Sequence, residues 1–134
     1  MIFLDTSLLV AYAVSGDSNH DKAVTIVDDI AAGKFGKAVT SDYVFDETVT
    51  VILVRTKSLE SAVRTGELIK ESVELWKADE AIFELAWKLF SEQKATKFSF
   101  TDCAIIAQMS LNGVDLLATF DGEFDKAGFS VVKA

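Results

Sequence analysis

Short apolar runs alternate along this chain with longer stretches in which apolar positions recur every three or four residues. Ile2-Phe3-Leu4 is a continuous apolar run ending at Asp5, the pattern of a short strand in a sheet covered on both faces. Asp5-Thr6-Ser7 then offers capping side chains before Leu8, Leu9 and Tyr12, whose spacing predicts a first helix ending near Gly16. Ala23, Ile26, Val27 and Ile30 predict a second helix over about 19–32. After the Gly33–Gly36 turn, Ala38-Val39-Thr40 reads as a second strand, and Ser41 or Asp42 can cap a helix through about Arg55. The β-branched run from Thr48 to Val54 also suits a strand, but the length of the segment and its cap favour helix. In that helix Val44, Glu47, Val51 and Val54 fall on roughly one face, so a carboxylate interrupts an apolar stripe.

Residues 59–70 predict another helix and Val73–Leu75 a third strand. Ile82, Leu85, Ala86 and Leu89 mark a helix from Asp79 or Glu80 to about Ser91. Ser99 or Thr101 starts a helix to about Leu111, which Asn112-Gly113 closes. Strand 115–119, a turn or short helix over 121–126 and an edge strand 129–132 complete the order. Alternating short strands and helices indicate an α/β sandwich with a mostly parallel sheet. Chemistry in such folds gathers outside the carboxyl ends of the strands.

The chain has 134 residues, half of them apolar, with no proline and no linker or repeat. The whole of 1–134 is therefore expected to form a single domain. A net charge of −8 argues against holding nucleic acid by bulk phosphate neutralisation, though not against a nuclease whose cations offset clustered acids. The one cysteine, Cys103, excludes an internal disulfide and a multi-cysteine zinc site. Its apolar helical setting points to a buried structural thiol. The N-terminal MIFLDTSLLVAYAV lacks a basic lead and is interrupted by Asp5, so neither export nor a membrane span is expected and a cytoplasmic location is.

Against this background four carboxylates stand out. Asp5 and Asp121 each follow a predicted strand, Glu47 lies on a helix face, and Asp102 sits in the first turn of its helix. The ordinary readings are a helix cap for Asp5, a turn residue for Asp121 and a dipole-stabilised anion for Asp102. Glu47 on a buried stripe would need a partner, and no Lys or Arg lies three or four positions away. Acids gathered in one crevice repel each other. A hard cation, Mg²⁺ or Mn²⁺, resolves that and suits phosphoryl transfer.

The segments IFLDTSLLVAY, SDYVFDETVTVILVR, FSFTDCAIIAQM and LLATFDGEF together resemble, in order, the four acidic motifs of PIN-domain ribonucleases, in particular the toxins of VapBC-type toxin–antitoxin pairs. The resemblance spans essentially the whole chain and implies a three-layer α/β/α sandwich. It makes Asp5, Glu47, Asp102 and Asp121 both the catalytic and the metal-site carboxylates, for Mg²⁺ or Mn²⁺. Thr6, Ser7 and Thr119 would support them, with Ser7 replacing a common Asn, and Asp125 is an auxiliary candidate. The implied activity is hydrolysis of an RNA phosphodiester by an activated water, without a covalent protein nucleophile.

Among the basic residues, Arg55, Lys57 and Arg64 follow Glu47, and Lys97 precedes Asp102. They are candidates for RNA contact, or else solvated charge. The family further implies a homodimer and a small antitoxin that lays a segment across the groove. The competing reading is a catalytically inactive PIN-like module that binds RNA or protein. A phospho-acceptor receiver domain wants paired acids after strand one, and a haloacid-dehalogenase-like phosphatase a second Asp at position 7. The chain has Asp5-Thr6-Ser7, which disfavours both.

Overall fold

The computed structural model describes residues 1–133. Five strands, β1 (Ile2–Leu4), β2 (Ala38–Ser41), β3 (Glu74–Trp76), β4 (Leu116–Ala118) and β5 (Ser130–Val131), form one sheet in the order β3-β2-β1-β4-β5. Every pairing is parallel, with Phe3 in register with Val39 on one side and Leu117 on the other. All three of these side chains are fully buried.

Between β1 and β2 run α1 (Thr6–Ala13) and α2 (His20–Ala31), and between β2 and β3 run α3 (Asp42–Thr56) and α4 (Leu59–Ser72). The chain then recrosses the sheet to β4 through α5 (Glu80–Glu92) and α6 (Phe100–Asn112). Crossovers between parallel strands are right-handed, so opposite directions of travel place α1–α4 on one face and α5–α6 on the other. Most helix packing follows that division, α1 against α2 and α3, α3 against α4, and α5 against α6, while α3 also touches α6. A 3₁₀ turn, Gly122–Ala127, links β4 to β5.

The expected α/β/α architecture is the one observed. The segment 48–54 is helical because Ser41 caps α3, its hydroxyl accepting from the Val44 amide at 3.1 Å, and because Val44, Thr48 and Ile52 give it a buried stripe at four-residue spacing. That stripe corrects the expected one. Glu47 lies half-buried on its flank, and Val54 is 69% exposed. Close approach of α3 and α4 depends on Gly66, where an added Cβ would meet Val49 Cγ1 at 3.2 Å and Phe45 Cζ at 3.3 Å.

Beneath α1, α3 and α4 a satellite cluster of Val10, Ile52 and Ala62 packs with Val51. On the far face α6 is buried through Cys103, Ala104, Ile105, Ala107 and Met109, each large apolar side chain contributing about 1.5–3 kcal/mol on burial. Neighbouring strands β1 and β4 lead the chain away in different directions, which makes their carboxyl ends the switch point of the sheet.

Candidate functional site

Asp5 leaves β1 at that switch point. It is 4% exposed, and its amide donates to the Ala118 carbonyl of β4 at 3.1 Å. The carboxylate makes no capping hydrogen bond to α1. Oδ2 instead accepts from Thr119 Oγ1 at 2.6 Å and from Ser7 Oγ at 2.8 Å. Each hydroxyl has one proton and gives it to Asp5, so the 3.1 Å approach of Ser7 Oγ to Thr119 Oγ1 is a close contact between two donors. Their lone pairs accept in turn, Ser7 from the Phe120 amide and Thr119 from the Asp121 amide, at 2.9 and 3.0 Å. Burial pushes the Asp5 carboxyl above its ordinary range, opposed by the Thr119 and Ser7 hydroxyls and by the Thr6 and Ser7 amides.

Asp102 enters from α6. Its Oδ2 accepts from the Ser99 amide at 2.9 Å while Ser99 Oγ accepts from the Asp102 amide at 3.0 Å, a reciprocal capping box. Desolvation raises its pKa to about 6, and the charges of Asp5 and Asp121 add to the rise against the lowering effect of Ser99. Asp5 and Asp121 therefore both repel charge on Asp102. Asp121 follows β4, is exposed, and caps the 3₁₀ turn through Oδ1, which accepts from Glu123 N at 2.9 Å. Glu47 projects from the flank of α3.

Asp5, Glu47, Asp102 and Asp121 line one cavity of about 280 Å³, together with Thr6, Ser7, Val10, Val51 and Phe120. Among the described residues no three His, Cys, Asp or Glu side chains already stand at the spacing of direct metal ligands. The acids surround a space rather than a point. The donor set nonetheless suits a hard cation: it is all carboxylate, it lacks nitrogen and sulfur, and Asp102 and Asp121 each spend only one oxygen on a cap. A cavity of this size admits a Mg²⁺-type ion that keeps part of its water shell.

The remaining expected residues divide. Ser7 and Thr119 hold Asp5. Thr6 lines the cavity, but its buried hydroxyl has no hydrogen-bond partner among the described residues, so the expected support of Asp5 by that hydroxyl is not made. Asp125 is exposed in the 3₁₀ turn, lines a neighbouring cavity and lies 4.0 Å from Lys133. Of the basic candidates Arg55 lines the acidic cavity, while Lys57, Arg64 and Lys97 do not. Arg64 pairs loosely with Glu60 at 3.9 Å, and the Lys97 amide donates to Glu123 at 3.0 Å. Asp17 and Asn19, unremarked in sequence, also line the cavity. They lie in the α1–α2 loop, where no periodicity marks them. Cys103 is buried, and desolvation followed by the nearby Asp102 charge raises its thiol to about 11, which fits a structural role.

Comparison with known proteins gives concordant results. The family model described as PIN domain matches residues 2–130. A Mycobacterium tuberculosis protein described as 23S rRNA-specific endonuclease VapC20 is 31% identical over 137 aligned positions, covering 99% of this chain and 98% of the relative. The crystal structure of Mycobacterium tuberculosis VapC20, described as a Sarcin-Ricin loop cleaving toxin, superposes with a TM-score of 0.90 at 29% identity over the full length of both chains. VapBC2 from Rickettsia felis, bound to a promoter DNA fragment, matches with a TM-score of 0.71 at 16% identity, over 98% of each chain. FitAcB from Neisseria gonorrhoeae matches with a TM-score of 0.64 at 18% identity, over 99% of this chain and 97% of that one. These last two likenesses concern the fold alone.

Proposed function

From the premise that this chain belongs to the PIN-domain family, we propose that it is a divalent-cation-dependent endoribonuclease, acting as one 134-residue domain and as the toxin of a toxin–antitoxin pair. The observation that carries the reading is the lining of one cavity at the sheet's switch point by Asp5, Glu47, Asp102 and Asp121. Identity to VapC20 along the full chain makes 23S rRNA the first substrate to try.

Asp5 is the most rigidly held of the four, fixed by two hydroxyls that are themselves fixed by amides, so its orientation survives when charge arrives nearby. Asp102 and Asp121 each spend one oxygen on a cap and turn the other free. Glu47 closes the cavity from α3. When bound, Mg²⁺ or Mn²⁺ supplies charge neutralisation at the phosphate and acidifies the attacking water. The carboxylates would hold that cation, and one left free of it would orient the water and take its proton. No Ser, Cys or His of the cavity is needed as a covalent nucleophile.

Two partners follow from the same reading. A small antitoxin suits the net charge of −8 if it brings a basic side chain to the acidic cavity. An apolar cavity of about 500 Å³ beside α1, α2 and α4, lined in part by Tyr12, Val27 and Leu68, suits its apolar segment. A homodimer suits the outer face of α5, where Phe83, Trp87 and Phe90 are 46%, 52% and 37% exposed. A two-fold pairing through this face would bury all three rings. No helix among the described residues is long and apolar enough to cross a membrane.

The test is cleavage of purified ribosomal RNA with Mg²⁺ or Mn²⁺, with EDTA, and with folded Asp5→Asn protein. The reading expects site-specific cleavage that chelation and the substitution each abolish. Robust cleavage by the folded variant, with contaminating nuclease excluded, would sink it, and an inert wild-type protein that still binds RNA would favour the non-catalytic module.

A further inference from the structure

The acidic cavity contains one basic side chain, and that side chain is held. Arg55, in the last turn of α3, donates from Nη1 to Asp17 Oδ2 at 2.9 Å. Asp17 is itself anchored, its Oδ1 accepting from the Asn19 amide at 2.9 Å and its own amide donating to Val14 at 3.0 Å. The Asn19 amide, and after it the Arg55 guanidinium, hold the Asp17 carboxyl below its usual range. Nη1 makes the one hydrogen bond of the Arg55 side chain among the described residues. A guanidinium carries five N–H donors, which leaves most of the fork unengaged on a side chain 44% exposed.

Glu47, Val51 and Arg55 recur at four-residue spacing on α3 and all line the cavity. At 1.5 Å rise per residue the backbone of Arg55 lies about 12 Å along the helix from that of Glu47. Along α3, Glu47 and Arg55 are therefore two turns apart on the cavity wall, with Asp17 beside the guanidinium. A phosphodiester strand entering a cavity walled by Asp5, Glu47, Asp102 and Asp121 meets repulsion along its length except where a cation or Arg55 offsets it.

We propose that Arg55, oriented by Asp17, is a phosphate-binding residue of this site. It would grip, through the free side of its fork, a backbone phosphate flanking the one that is cleaved. The proposal rests on the ribonuclease reading for its substrate and adds to that reading a binding residue and the loop carboxylate that positions it. The alternative is a tertiary strut, in which Arg55 and Asp17 serve only to tie α3 to the α1–α2 loop.

The two are separable by comparing Arg55→Gln, Arg55→Lys and Asp17→Asn with wild type. One measurement is steady-state cleavage in Mn²⁺. The other is fluorescence anisotropy of a labelled single-stranded RNA oligonucleotide in EDTA between 50 and 300 mM salt. Phosphate binding predicts that Arg55→Gln weakens KM and Kd about tenfold, with kcat within about twofold. It also predicts that the salt slope falls by about 0.7, one phosphate contact on a single strand, that Arg55→Lys, which keeps the charge but not the fork, restores the slope and only part of the affinity, and that Asp17→Asn costs no more than about threefold. A strut predicts equal effects of Arg55→Gln and Asp17→Asn, no rescue by lysine and an unchanged salt slope, and any of these overturns the proposal. The oligonucleotide arm needs no turnover, so a wild-type protein that cleaves nothing refutes the ribonuclease reading while Arg55 is still judged by binding.

Discussion

Neutralising Asp102 should stabilise the metal-free protein, although it removes an acid from the candidate site. The Asp102 carboxyl rises from 3.8 to about 6 in the fold, chiefly through desolvation and secondarily through the charge of Asp5. The folded chain thus holds this proton more tightly than the unfolded chain. Stability is complete below pH 3.8, falls as pH rises toward about 6, and stays lowered above it. Two pK units correspond to about 3 kcal/mol at most. Asp102 is only half-buried beside an open cavity, so solvent screening reduces that figure. Loss of an anion from the first turn of α6 costs roughly another 0.3–1 kcal/mol. Asn keeps an oxygen to accept from the Ser99 amide, so the capping box persists in neutral form. The net expectation for Asp102→Asn in EDTA at pH 7.5 is a gain of about 1 kcal/mol, or roughly 3–5 °C in Tm, vanishing near pH 4. Urea unfolding of both proteins at pH 4, 5, 6 and 7.5 measures it. Added Mn²⁺ should then stabilise wild type, by about 1.4 kcal/mol at ten times its Kd, and the variant much less. A variant less stable than wild type at pH 7.5, or a difference that does not change with pH, would refute the argument that these acids are packed together at the expense of the fold.

Thr119→Val removes the 2.6 Å donor to Asp5 and the acceptor of the Asp121 amide, so urea unfolding should show a loss of about 1–3 kcal/mol. Because Asp5 then ionises still less readily, the loss should be larger at pH 8 than at pH 5, and RNA cleavage should fall with it. Trp87→Glu places like charges across the proposed α5 two-fold, and sedimentation should show a monomer with unchanged circular dichroism. A variant that stays dimeric would move the interface elsewhere.

The candidate site was legible in proportion to how local its causes are. Asp5 and Asp121 were readable because a continuous apolar run marks a strand, and the residue after it leaves at the sheet's carboxyl edge. Asp102 was readable mainly through the other three, since a first-turn anion is ordinary on any helix. Glu47 was found for a partly wrong reason, since the buried stripe of α3 runs through Val44, Thr48 and Ile52. Which flank of a helix is buried depends on the neighbours it packs against, here α1 and α4, and four-residue spacing alone serves several faces equally well.

Composition, element order and cap chemistry thus belong to the sequence by itself, because each rests on backbone hydrogen bonding and side-chain propensity within a few residues. The tertiary structure alone decided that β1 lies between β2 and β4, which sets Thr119 against Asp5 across 114 positions of sequence. It also decided that Ser7 rather than the Thr6 hydroxyl supports the first acid, and that Arg55 reaches Asp17 from the end of α3. Such contacts form only after distant segments close on one another, and their energies leave no periodic trace in the chain.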